Sequence, residues 1–389
     1  MTPSRRDFLR TAGVVGAGMT LGHSPVAAAD PDPGRQAGRV DQEGTPAPKR
    51  ILILGGTGFI GPHMVRYAVG RGHEVSIFTR GRTEVDLPDV EHLIGDRNDD
   101  LSALAGRTWD VVLDNNARDY RWVQLSTELL KDAAEHYVFV SSISAYAAEI
   151  TGYENKDRII REPVIDEESE RFRPGPDFKD GDEAPYGLTK ALSEDICHAA
   201  FPGRTTVVRP GLIVGPGDPT DRFTYWPVRI DEGGEVLAPG NPQHASQVID
   251  QRDLTEWIVR LAEDGTTGDF NGTGPASRMS MAEMLYGIRA ITSAPVRFTW
   301  VSEDFLEANE VRPWGDLPAW IPGDALGYVN VDRAIAAGLT FRPLAVTALD
   351  TLEWDKTRPP EERAERRAGM SREREAELLK QWHQEAAGT

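Results

Sequence analysis

The 389-residue sequence has a single cysteine, Cys197, and no long hydrophobic run. One thiol excludes an intramolecular disulfide and any cysteine-rich zinc or iron–sulfur centre. The one mildly apolar stretch near the start, Thr11–Leu21, is too short and glycine-rich to span a bilayer comfortably. Positive charge is scarce as well: 43 Lys and Arg stand against 62 Asp and Glu, a formal charge of −19. That balance argues against a nucleic-acid scaffold, because phosphate binding needs a basic face. The eight histidines are scattered and no pair has metal-ligand spacing, so no metal site is predicted. There is no internal repeat.

What is present is ordinary for a soluble globular protein, with 39 % hydrophobic and 27 % charged residues. The length allows roughly two domains of about 150 residues each. The N-terminus reads Ser4-Arg5-Arg6-Asp7-Phe8-Leu9-Arg10, then a Gly/Ala-rich middle, then Ala27-Ala28-Ala29. A basic start, an apolar middle and a small-residue end are the parts of a secretory signal. The paired arginines before Phe-Leu resemble the twin-arginine export signal, whose machinery carries folded proteins. Residues 1–29 therefore read as a signal for export to the periplasm or the exterior, and 30–49 as a flexible linker. Folding in the cytosol before export accounts for an exported chain with one cysteine.

Arg50-Ile51-Leu52-Ile53-Leu54 is a short apolar run of the kind buried parallel strands show. It enters Gly55-Gly56-Thr57-Gly58-Phe59-Ile60-Gly61, and an amphipathic helix follows to about Arg71. The first of the glycines 55, 58 and 61 suits a tight turn, the second the approach of a pyrophosphate, and the third close packing of helix on strand. The helix N-terminus adds unpaired N–H groups for the phosphates. Further strands are predicted at Glu74–Thr79, Val90–Ile94, Trp109–Asp114 and Tyr137–Ser141, with helices at Leu101–Ala105 and Arg121–Ala134. This alternation implies an α/β fold with a doubly wound parallel sheet. A ligand would lie across the carboxyl ends of the strands, beside Asn115, Asn116 and Ala117. After the second strand stands Thr79-Arg80-Gly81-Arg82, with no acid to hold a ribose 2′-hydroxyl. Arginine there favours NADP over NAD, unless Arg80 stacks on adenine or faces solvent. Asp96 could accept from an adenine amino group or cap a helix near Asp99.

The fifth strand leads into Val140-Ser141-Ser142-Ile143-Ser144-Ala145-Tyr146, and Pro185-Tyr186-Gly187-Leu188-Thr189-Lys190 opens a helix through Ala200. A tyrosine and a lysine four apart share a helix face. The ammonium stabilises a phenolate and so tunes the tyrosine for proton transfer. With the glycine loop, Asp96 and Arg209-Pro210-Gly211-Leu212-Ile213-Val214-Gly215-Pro216, the chain resembles an extended or atypical short-chain dehydrogenase/reductase of the NAD-dependent epimerase/dehydratase family over about Arg50–Trp354. The resemblance implies a Rossmann-type sheet with a smaller C-terminal α/β substrate domain. It implies Ser142 and Tyr186 as catalytic, Lys190 on the nicotinamide ribose, and Pro210 beside the nicotinamide. It also implies a homodimer through a helix pair that includes Tyr186–Ala200. Asn115-Asn116-Ala117-Arg118 departs from the apolar turn that many epimerases carry, which leaves the substrate open.

On this reading residues 50–210 form the dinucleotide domain and 211–356 mainly the substrate domain. The charged stretch 147–184 reads as a lid in preference to a solvated insertion. Arg222, Tyr225 and Arg252 are candidates to touch a sugar-like substrate, with Asp253 as a helix cap. Trp300, Trp314 and Trp320 are candidates to close the pocket. Residues 357–389 read as a charged helix over Pro359–His383, supported by pairs such as Glu362–Arg366 and without chemistry of its own. Export further implies a tightly held dinucleotide and a redox-neutral epimerase or dehydratase reaction. A reductase or dehydrogenase of a small alcohol or ketone is the alternative, and a non-catalytic dinucleotide- or RNA-binding relative fits the intact Ser142, Tyr186 and Lys190 set least well.

Overall fold

The computed structural model describes residues 46–115, 118–147, 159–179, 181–324 and 328–388. The signal at 1–29, most of the linker, Asn116, Ala117 and part of the charged stretch lie outside the described residues. In chain order, β1 (Arg50–Leu54), α1 (Gly61–Gly70), β2 (Glu74–Thr79), β3 (Glu91–Ile94) and β4 (Trp109–Asp114) come first. They are followed by α2 (Tyr120–Leu130), β5 (Ala134–Val140), α3 (Tyr186–Ala200) and β6 (Thr205–Pro210). Next come β7 (Leu212–Val214), α4 (Tyr225–Asp231), β8 (Gly234–Pro239), β9 (Val248–Asp250), α5 (Gln251–Asp264) and β10 (Gly268–Gly272). Then follow α6 (Met281–Arg289), β11 (Val296–Val301), α7 (Glu303–Ala308), α8 (Asp332–Ala336), α9 (Leu344–Thr357), α10 (Pro360–Ala364) and α11 (Arg372–Gly388).

Seven of these strands form one parallel sheet in the order β3-β2-β1-β4-β5-β6-β10. The strand period of two divides β1 between both faces. Ile51 and Ile53 pack with Val65 and Ala68 of α1 and Trp257 and Ile258 of α5. Leu52 and Leu54 pack with Val123 and Leu130 of α2 and Cys197 of α3. This is the doubly wound Rossmann-type sheet expected from the alternation. The order reverses between β1 and β4, and a ligand crevice opens at the carboxyl ends there.

The sheet also recruits α5 and β10, from beyond the predicted boundary at 210. Strand β5 starts three residues earlier than predicted, and the helix before it stops at Leu130. Both differences have one cause: Ala134 and His136 pair with Trp109 and Val111 of β4, so these residues join the ladder. Of the charged stretch, residues 159–179 are pinned to the body and do not form a free lid. Ile160 and Ile165 are buried, the Glu167 carboxylate accepts from Asn271 N–H at 2.9 Å, and Arg171 bonds Glu194 at 2.8 Å.

A second apolar core gathers Phe223, Trp226, Leu237, Leu285, Phe305 and Leu352. It is framed by the parallel pairs β8–β11 and β7–β9. The tail docks on it through Leu378 and Leu379, as two helices where one was predicted. Arg366 turns to the buried Asp355 at 2.7 Å and leaves Glu362 to Arg358, because a buried carboxylate has the greater need of a cation.

Candidate active site

At the end of β1 the chain turns through Gly55 and Gly56, at φ +113° and +102°, a left-handed region that side chains disfavour. Two adjacent glycines thus share the turn. A Cβ built on Gly61 would lie 2.4 Å from the Gly56 carbonyl carbon, so only glycine lets α1 come this close. A Cβ on Gly58 would meet nothing within 4 Å, which leaves that backbone open to a ligand. The loop faces a cavity of about 1140 Å³. Its wall carries Thr57, Phe59, Ile60, Arg80, Arg82, Asp96 and Asn115 on one side. On the other it carries Ser142, Tyr186, Lys190, Pro210 and Arg222.

The loop fits a nicotinamide dinucleotide. Gly58 leaves room for a pyrophosphate at the N-terminus of α1, and the shielded Oδ1 of Asn115 lacks a hydrogen-bond partner. Asp96 does not cap a following helix. Its carboxylate accepts from Asn98 N–H at 3.0 Å and from the Asn98 amide at 2.6 Å. The Asn98 backbone bond, with help from Arg80 and Arg82, holds the Asp96 carboxyl below its ordinary range.

Lys190 is buried, and its Nζ donates to the Val140 carbonyl at 2.9 Å. That ammonium stands 5.8 Å from the Tyr186 ring centroid and 5.0 Å from that of Phe139. Burial pulls the Lys190 pKa down to about 8, against the opposing charges of Asp114 and Glu194. Tyr186 is exposed to the cavity mouth, at 54 %. Ser142 is nearly buried, and its Oγ accepts from Ser144 N–H at 3.1 Å. Behind them lies a largely buried charged layer. Arg209 bonds Glu194 at 2.8 Å, Glu194 takes the Ser141 hydroxyl, and Arg97 bonds Asp114 at 2.6 Å. A hydroxyl pair and an ammonium at one end of a dinucleotide cleft can pass a proton to or from a substrate oxygen.

Two proposed substrate contacts are corrected. Tyr225 lies in the second core, edge-on to Trp226 with ring centroids 5.0 Å apart, and does not line the cavity. Arg252 is held between Asp250 at 2.7 Å and Asp350 at 2.6 Å, also away from the wall. Asp250, not Asp253, caps α5, and Asp253 accepts instead from Arg342 N–H at 2.7 Å. Trp314 and Trp320 line the cavity, whereas Trp300 packs against the second core. Sequence reading missed Arg97, Thr220, Ser246 and Gln247. No motif marks them, since chain turns distant from the glycine loop bring them there.

Residues 51–272 match the NAD dependent epimerase/dehydratase family. The chain belongs to that family. Residues 2–22 match the twin-arginine translocation pathway signal sequence, which indicates export by that route. The chain is 38 % identical over 115 residues to the chloroplast stem-loop binding protein of 41 kDa b of Arabidopsis thaliana. That match covers 25 % of this chain and 30 % of the plant protein. It is 30 % identical over 178 residues to the 2-alkyl-3-oxoalkanoate reductase of Stenotrophomonas maltophilia, 43 % of this chain and 52 % of that one. The chain therefore spans about half or less of these two relatives. The Bordetella bronchiseptica enzyme WbmH in complex with NAD+ shares the fold at a TM-score of 0.56 and 16 % identity, over 79 % of this chain and 99 % of WbmH.

Proposed function

We propose that this chain is an exported enzyme that uses a tightly held nicotinamide dinucleotide to epimerise or dehydrate a sugar-like alcohol in a redox-neutral cycle. The carrying observation is the convergence of Ser142, Tyr186 and Lys190 on the cavity into which the Gly55–Gly61 loop opens. A nicotinamide dinucleotide, when bound, supplies the hydride acceptor at the substrate carbon. Tyr186, as the phenolate, takes the proton of the substrate hydroxyl to become the phenol, and returns it in the reverse step. Ser142 holds the same oxygen by a hydrogen bond. Lys190, cationic below about pH 8, stabilises the Tyr186 phenolate and offers N–H donors to a ribose. The N–H groups at the start of α1 take the phosphates.

Two features support the finer parts of the reading. Outside the cytosol little free dinucleotide is available for exchange, so an enzyme that released reduced cofactor would stop after one turnover. Arg80 and Arg82 line the cavity where β2 ends, which favours NADP over NAD. A second reading, a reductase of a small ketone, draws on the likeness to the oxoalkanoate reductase.

Denaturing the purified mature protein and identifying the released dinucleotide by mass and absorbance tests both readings. Stoichiometric NADP supports the captive cycle, and stoichiometric NAD keeps the cycle but refutes the role of Arg80. An empty protein that turns over only with added nicotinamide favours the reductase.

A further inference from the structure

The cavity inverts the charge of the molecule. In a chain of net charge −19, the described residues of its wall include Arg80, Arg82, Arg97, Arg118, Lys190 and Arg222 against Asp96 and Asp218 alone. Most of this charge has an assignment. Arg97 is paired with Asp114, Lys190 is bonded to Val140, Arg80 and Arg82 stand beside Asp96, and Arg118 lies exposed. Asp218 is buried and turned to its own loop: its Oδ1 accepts from Thr220 N–H at 2.8 Å and from the Thr220 hydroxyl at 2.7 Å, and its Oδ2 from Phe223 N–H at 3.5 Å. Arg222 remains. Its guanidinium carbon lies 5.3 Å from the Trp314 ring centroid, a cation–π contact that fixes its place, and among the described residues no carboxylate pairs with it, which leaves its N–H groups open to a bidentate acceptor.

The carboxylate next to it in the chain, Asp221, would be the natural partner, but it is spoken for. Asp221 is 1 % exposed, takes Arg358 Nη1 at 2.5 Å and Arg367 N–H at 3.0 Å, and has Arg366 at 3.6 Å. Gly369 N–H bonds the Gly315 carbonyl at 2.7 Å, beside Trp314. One tail segment thus grips both residues that flank the stacked pair. Asp221 and Trp314 each hold a left-handed φ, +57° and +64°, the kind of strain that persists where surrounding contacts impose it.

We propose that residues 358–369 are part of the substrate site: by occupying Asp221 they leave the Arg222 charge unspent and hold it over Trp314, where it receives an anionic group of the substrate. The ligand class is a sugar-like compound with a carboxylate or a phosphate ester. The proposal rests on the reading of this cavity as a dinucleotide-plus-substrate site.

NADP-saturated full-length mature protein is titrated calorimetrically with D-glucuronate, D-glucose 6-phosphate and D-glucose. At least one anion binds about tenfold or more tightly than the neutral sugar, as a charge-assisted bidentate contact predicts. The stronger of the two identifies carboxylate or phosphate as the source. Arg222→Gln abolishes the preference with NADP affinity and melting temperature unchanged, and Arg222→Lys keeps part of it. Asp221→Asn lowers it while NADP binding persists. No preference in the native protein, binding of none of the three, or a preference that survives Arg222→Gln overturns the proposal. A preference untouched by Asp221→Asn overturns the role of the tail. A protein that binds no nicotinamide yet prefers anions through Arg222 defeats the proposed function and leaves the anion site standing.

Discussion

The two halves of the cavity are built from different materials. On the dinucleotide side the main chain does the shaping: within residues 55–61, backbone turns and glycines too crowded or too open for side chains set the approach to α1. On the substrate side the wall consists of side chains, among them Arg222, Gln247, Trp314 and Trp320, drawn from separate turns. Arg222 and Trp314 are braced through their chain neighbours Asp221 and Gly315 by residues 358–369. A main-chain site tolerates most side-chain exchange and fails at its glycines. A side-chain site has the opposite vulnerabilities, and its specificity can change without touching the sheet.

Substitutions on either side can break or sharpen this contrast. The largest effect is expected where the halves meet: Tyr186→Phe should lower steady-state turnover by about 10²–10⁴-fold, the usual contribution of a proton-transfer group, and leave dinucleotide binding intact. On the substrate side, Glu375 bonds Arg229 at 2.6 Å and Leu237 N–H at 2.9 Å with almost no exposure. Glu375→Gln leaves that guanidinium buried without its counter-charge, and urea unfolding should show a loss of about 3–5 kcal/mol. On the dinucleotide side, Gly61→Ala forces a methyl into the Gly56 backbone. Overpacking of about 1–3 kcal/mol should surface as weakened NADP binding in an equilibrium titration. Arg80→Ala should weaken NADP by about tenfold relative to NAD, the scale of one hydrogen bond to a charged group.

The smallest effect is one of pH. Turnover should decline as pH rises through about 8, where Lys190 loses its proton. Stability moves the other way. The folded-state value lies below the ordinary 10.5, so burial of the charged lysine costs most below about pH 8, and that cost disappears between there and 10.5. Paired pH profiles of rate and melting temperature should therefore diverge, and parallel profiles would remove Lys190 from the mechanism.

The contrast also explains what could be read from the residues. Strands β2 and β4 stand where predicted, and Arg50–Leu54 and the glycine loop are legible because their function lies in consecutive backbone. Ala134 has nothing in its local pattern to separate helix end from strand start; pairing with Trp109 decides it. Tyr225 and Arg252 have the right chemistry for a sugar, yet one is absorbed by the second core and the other by two carboxylates. Three tryptophans of similar setting divide between wall and core, because their directions are set by tertiary packing. The tail reads as one charged helix, since its arginines and glutamates can pair locally. Its true partners, Asp221, Asp355 and Arg229, lie elsewhere in the sequence.

The Asp221–Arg358 clasp joins positions 137 residues apart. At the pace of translation, about 5–20 residues per second, the second partner leaves the ribosome on the order of ten seconds after the first. During that interval the nascent chain already displays its export address but has an unfinished pocket. On a translocation route that carries folded proteins, Asp221 therefore cannot be held in its place until residues 358–369 have been made.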